Sequence, residues 1–141
     1  MTNPQREPAE KKAKDIAIKI PICITVSNDS DGRIAKAFAE VLSAEGFNTT
    51  TGSNERYLIN CDVLYDEGES SDKKTKFYNY TVTASLKDTS IGEELVPLSF
   101  TGREGSPTIE NAKQRARNSI VNKIKQNFKV QFQKYLQTQQ L

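Results

Sequence analysis

Apolar residues occupy every second position from Ile16 to Val26: Ile16, Ile18, Ile20, Ile22, Ile24 and Val26 share one parity, Ala17, Lys19, Pro21, Cys23 and Thr25 the other. Successive strand side chains point to opposite faces, so this alternation predicts a strand with one strongly buried face. Pro21 cannot donate a ladder hydrogen bond, which predicts an edge position or a bulge there. Ser27-Asn28-Asp29-Ser30-Asp31-Gly32 then gathers turn formers, and Ile34, Ala37, Phe38, Val41 and Leu42 follow at helical spacing before Gly46. A first helix is predicted over Arg33 to Glu45, capped by Ser30 or Asp31.

Phe47 to Thr51 reads as a short extended segment and Gly52-Ser53-Asn54-Glu55 as a polar break. Tyr57, Ile59, Cys61, Val63 and Tyr65 give the core face of a second long strand. After a charged loop over 66–76, Tyr78, Tyr80, Val82, Ala84 and Leu86 give that of a third, and the two read as a hairpin. Leu95 to Thr101 predicts a last strand with Val96, Leu98 and Phe100 inward and Pro97 marking an irregular or edge position. Ser106-Pro107 reads as N-cap and first helical residue. From there Ala112, Ala116, Ile120, Ile124, Phe128, Phe132 and Leu136 recur at steps of four, predicting a helix over Pro107 to Tyr135 of about 45 Å at 1.5 Å per residue. Each step overshoots a full turn by about 40°, so Phe132 and Leu136 are expected to drift off the face that Ala116 and Ile120 define.

This order of elements predicts an α+β two-layer sandwich: a mostly antiparallel sheet of about four strands, two helices on one face, and a long C-terminal helix. Residues 1–14 hold two prolines, six charges and no large aliphatic side chain, and read as a flexible polar leader before a single domain over 15–138.

Composition narrows the function. The 141 residues are 35% hydrophobic and 27% charged, and their mean hydropathy is −0.65. No run approaches the roughly 20 apolar residues of a spanning helix. Histidine is absent, removing the commonest general base and metal ligand, and two cysteines are too few for a closed zinc site or a disulfide scaffold. Cys23 lies opposite the isoleucine stripe whereas Cys61 shares parity with Ile59 and Val63, so two free thiols are expected. Ser27 to Gly32 resembles a calcium loop in its alternating oxygens, but Phe38 stands where such a loop needs a bidentate Glu. Turn and cap chemistry accounts for those residues. Ser, Lys and Tyr show no spacing that joins a nucleophile to a base, and the acidic pairs Asp62 with Asp66 and Glu93 with Glu94 read as surface charge. The expectation is a protein without catalytic residues, metal, cofactor or small-molecule substrate.

Two binding surfaces remain. The sheet face opposite the isoleucines carries Lys19, Cys23, Thr25, Asn60, Asp62, Asn79, Thr81, Thr83 and Ser85, interrupted by Leu58, Leu64 and Phe77. A protein partner or a second copy is expected to cover this face or pair with the edge near Pro21, with Phe77 as an anchor and with Phe132 and Leu136 as the next candidate surface. The alternative is nucleic-acid binding. Residues 107–136 carry seven basic side chains against Glu110 alone, and Arg115, Lys125 and Lys129 point away from the core, while Lys113, Lys123 and Lys134 flank it.

A set of residues also resembles a family. The Asp31-Gly32 turn after a strand, the helix closed by Glu45-Gly46-Phe47, the strand Tyr57-Leu58-Ile59, Leu86-Lys87-Asp88 with a Gly92 turn, Phe100-Thr101-Gly102-Arg103-Glu104, and Ala112, Arg115, Ala116, Ile120, Ile124 and Phe128 on the last helix are together similar to bacterial cell-envelope domains. That group includes the TolB amino-terminal domain, the curli-secretion lipoprotein and the lipoprotein activators of penicillin-binding proteins. The resemblance spans about residues 15–136 and implies a non-enzymatic, protein-binding module of a periplasmic or outer-membrane-associated protein, held at the membrane only through a lipid anchor. This chain differs in having no signal peptide and no lipid-accepting N-terminal Cys, so a cytoplasmic location is the expectation if nothing lies upstream.

Overall fold

The computed structural model describes residues 21–50 and 56–139. The expected leader, the start of the isoleucine stripe and the polar break at 52–55 lie outside them. The elements are β1 (Ile22–Val26), α1 (Arg33–Ala44), β2 (Thr49–Thr50), β3 (Tyr57–Glu69), β4 (Lys76–Asp88), β5 (Glu93–Ser106), α2 (Ile109–Lys123), a π-helical turn (Ile124–Phe128) and α3 (Lys129–Gln139). They form an α+β fold with a five-stranded mixed sheet of order β2-β1-β3-β4-β5.

The three long strands pair antiparallel, as their alternation and the turn between them predict. Strand β1 does not sit at an edge. It lies between β2 and β3 and runs parallel to both, with Ile22 opposite Thr49 on one side and Tyr57 on the other. Parallel neighbours need a crossover, which α1 supplies. Pro21 precedes β1 rather than standing inside it, so its missing N–H breaks no rung; the first ladder donor is Ile22 N, to Asn48 O at 2.9 Å. The β3–β4 hairpin is longer than expected. Pairing continues to Glu69 opposite Lys76, so the charged loop shrinks to a tight turn closed by Ser70 N to Thr75 O.

Helix α1 is not capped by Ser30. Gly32 takes the N-cap position in the left-handed region at φ 73°, and the Asp29 carboxylate reaches past it to accept from Ile34 N and Ala35 N at 3.0 and 2.9 Å. Asp31 accepts from Arg33 N at 3.2 Å. For α2 the cap is Thr108, which accepts from Asn111 N, because Ser106 is still paired in β5 opposite Lys76.

The core lies between the sheet and the helices, built on Ile59, Val63 and Val82 below and on Ile34, Phe38, Ile120, Ile124, Phe128 and Phe132 above. Phe132 does not drift outward. A π-turn accommodates one extra residue, which takes back about 100° of the roughly 160° accumulated between Ala116 and Phe132. Phe132 is accordingly only 1% exposed, edge-on to Phe47 at 5.2 Å.

Candidate functional site

All the described helices cover one sheet face. The other shows Asn60, Asp62, Thr81, Thr83 and Thr101 to solvent, with Leu64 64% exposed among them. Cys23 and Ser85 also take their places on this face by parity, yet both are buried. The three apolar residues singled out there do not form one patch. At about 3.3 Å per residue, Leu58 and Leu64 are roughly 20 Å apart along β3, and Phe77, opposite Gly68, lies roughly 13 Å farther on.

Phe77 is half-buried by its own sheet, since its register partners on both sides are glycines, Gly68 and Gly105. Its ring leans over Gly105, where an added Cβ would lie 3.1 Å from Cε1, and the Arg103 guanidinium covers it at 4.9 Å. That packing covers part of the ring expected to serve as an anchor. Phe132 offers nothing to a partner because it is in the core, and Leu136 is half-buried against that core.

Sequence spacing missed a polar cluster at the margin between sheet and helix. Tyr80 lies opposite Gly102 and its ring crosses that residue so closely that any Cβ there would overlap the phenol. The missing side chain lets the Tyr80 hydroxyl reach Ser119 Oγ at 2.7 Å and accept from Lys123 Nζ at 2.8 Å. Lys123 lies over the Tyr80 and Phe100 rings, 5.0 and 5.6 Å from their centroids, and donates to the Thr101 carbonyl at 3.4 Å. Lys123 thus serves as a hydrogen-bond donor to Tyr80 and Thr101. The one signal in the sequence was the i, i+4 spacing of Ser119 and Lys123.

The basic residues of the long helix are divided rather than gathered. Lys125 pairs with Glu40 at 3.0 Å, Arg117 with Asp31 at 3.2 Å and Lys113 with Glu67 at 3.6 Å. Arg115 has no ion pair among the described residues. It lines a groove of about 390 Å³ with Glu104, Asn118, Ser119, Asn122 and Lys123, on the β5 side of α2. Lys125 lines a different groove with Arg33, Lys36 and Glu40, on the α1 side. Arg115 and Lys125 therefore face different flanks, and Lys129 is exposed beyond the π-turn.

Nucleophile chemistry is poorly served. Cys61 is buried, and burial, with Asp62 and Asp29 nearby, pushes its thiol up to about 12, far from a reactive thiolate. No group of three His, Cys, Asp or Glu that could hold a metal occurs among the described residues. Three of the oxygen-bearing side chains of the 27–32 turn are engaged: Asp29 and Asp31 on the amides of α1, and Ser27, whose Oγ accepts from Val63 N at 3.1 Å. No described helix is long and apolar enough to cross a membrane.

No family model and no curated protein matches the sequence. Among solved structures, the chain is similar to a minor lipoprotein from Acinetobacter baumannii (TM-score 0.55, 15% identity, covering 79% of this chain and 88% of that one). It is also similar to a protein from Caulobacter crescentus CB15 assigned as a lipoprotein (TM-score 0.54, 11% identity, covering 87% and 93%). At these identities the likeness is one of fold: this α+β architecture is shared with bacterial lipoproteins.

Proposed function

We propose that this chain is a non-enzymatic protein-interaction domain of a bacterial envelope protein, periplasmic or outer-membrane-associated. The observation that carries the reading is the sheet face that no described helix covers, with Asn60, Asp62, Thr81, Thr83 and Thr101 exposed and Leu64 standing out from it. The burial of Cys61 and the use of Lys123 as a donor support a binding role over a catalytic one. The fold shared with two bacterial lipoproteins supports the envelope assignment.

The test is retention of partners from envelope extracts, together with self-association by sedimentation, for wild type, Leu64→Ser and Phe77→Ala. Weakening by more than about 1 kcal/mol, roughly fivefold in Kd, is expected for Leu64→Ser with an unchanged thermal midpoint. Unaltered association in both variants would place binding elsewhere. The nucleic-acid alternative through Arg115, Lys125 and Lys129 is separated by titration with DNA and RNA, where it requires affinity that falls steeply with salt.

A further inference from the structure

We infer that the free edge of β5, from Leu98 to Ser106, accepts an extended acidic segment of a partner protein as a sixth strand, its carboxylate seated in the groove beside Arg115 and Lys123. This rests on the reading of the chain as a protein-binding domain and names where and what it binds.

Strand β5 is 14 residues long and has one neighbour among the described residues, β4. Along a strand, the N–H and C=O of one residue point to one side and those of the next to the other. Pro97 is tolerated in a sheet only where its absent N–H would face away from the ladder. Residues of its parity, Ser99, Thr101, Arg103 and Gly105, therefore direct their N–H and C=O groups outward. The Lys123 ammonium agrees independently, since it reaches the Thr101 carbonyl from the helix side. Proteins protect long edges with proline, charge or a cover. Here Glu93, Glu94 and Pro97 guard the first part of β5, while Leu98 to Gly102 contains no charged side chain.

Above this unguarded stretch stands one wall of a slot. Arg115, Asn118, Ser119, Asn122 and Lys123 project from α2, and with Glu104 they bound the groove of about 390 Å³. An edge strand with a helix alongside is the geometry that adds a peptide strand, the main chain giving affinity and alternate side chains giving selection. The selection is for negative charge, because the groove holds two cations against one carboxylate and Arg115 is without an ion pair among the described residues, whereas Lys113, Arg117 and Lys125 each have one. A second copy of β5 fits less well. The one acidic side chain in the stretch that would pair, Glu104, already lines the groove, and symmetric pairing about Thr101 would put Pro97, which has no N–H to donate, into the shared ladder.

The probe is a synthetic ten-residue peptide alternating Val and Glu, set against the same peptide with Lys for Glu and against one N-methylated at alternate amides. Amide exchange by NMR is expected to show Ser99, Thr101, Arg103 and Gly105 exchanging fast in the free protein and slowed at least tenfold by the acidic peptide alone. Arg115→Glu, an exposed change that leaves the fold intact, is expected to raise the Kd at least tenfold, and Thr101→Pro to abolish binding. Unchanged exchange with the acidic peptide, or equal binding of the Lys peptide, overturns the inference. Protection that instead appears with rising protein concentration assigns the edge to a second copy and overturns it too. If Arg115→Glu and Thr101→Pro retain envelope partners that Leu64→Ser loses, the edge proposal fails and the protein-binding reading stands; if all three retain every partner, both fail.

Discussion

The rings of Phe128 and Phe132 stack 5.7 Å apart and 12° from parallel, across the boundary between the π-turn and α3. Side chains four apart in a regular α-helix are already offset by about 40°, and the π-turn keeps this pair on the core despite the offsets accumulated upstream. Phe128 also meets Phe38 of α1 edge-on at 5.0 Å. Deleting the exposed Gln126 removes the extra residue and restores a regular α-turn, which leaves Phe132 at the same angle to the core. The expected cost falls well short of that of Phe132→Ala, about 3–5 kcal/mol, while Lys129→Ala is expected to cost about 0.5 or less. Urea midpoints of the three variants check this.

Two tyrosines on one strand pair are expected to respond oppositely to loss of the hydroxyl. Tyr80→Phe forfeits the bonds to Ser119 and Lys123 and is expected to destabilise by about 1–2 kcal/mol. Tyr65, stacked on Tyr78 at 4.7 Å, has a buried hydroxyl with no partner among the described residues, and burial pushes its pKa up to about 12. Tyr65→Phe removes an unpaid desolvation and is expected to be neutral or stabilising, as thermal midpoints will show.

Gly102→Ala forces the Tyr80 ring aside and is expected to cost about 1–3 kcal/mol. The double variant Gly102→Ala/Tyr80→Val is expected to be more stable than the sum of the two single changes, because the overlap is gone. A double-mutant cycle in denaturant measures this coupling.

Asp88 joins the ends of three strands. It receives Arg56 Nε and Nη2 at 3.1 and 3.0 Å, and Ser90 N and Oγ at 3.0 and 2.6 Å, and these bonds, Arg56 first, hold its carboxyl at about 2. An unfolded Asp titrates near ~3.9. A depressed native pKa contributes stability above the unfolded value, and that contribution disappears as pH falls from about 4 through about 2. Stability is therefore expected to drop across that window in wild type and to fall less steeply in Asp88→Asn, read from thermal midpoints against pH.

Cys23 and Cys61 are both buried thiols, and on alternating strand geometry they belong to opposite faces. Thiol titration is expected to find two reactive groups in denatured, non-reduced protein and almost none on the native timescale. A count of zero after denaturation would mean a disulfide and would overturn this.

Much of the fold was legible in short-range periodicity. Alternation along Tyr57 to Tyr65 and Tyr78 to Leu86 identified the buried faces of β3 and β4, because a pleated strand has only two faces and burial selects one. The step-four run from Ala112 marked the long helix for the same reason. Periodicity says which face is buried, but not which strand lies beside which. The interior, parallel place of β1 depends on α1 crossing over, whereas Pro97 already marked an irregular or edge position and the strand order puts β5 at one edge of the described sheet. The π-turn is likewise a tertiary outcome: the sequence contains the accumulating offset, and the core decides where it is discharged. Tyr80, Ser119 and Lys123 are brought together because Gly102 lacks a side chain opposite Tyr80, a cross-strand coincidence of register across 22 residues that no local pattern encodes.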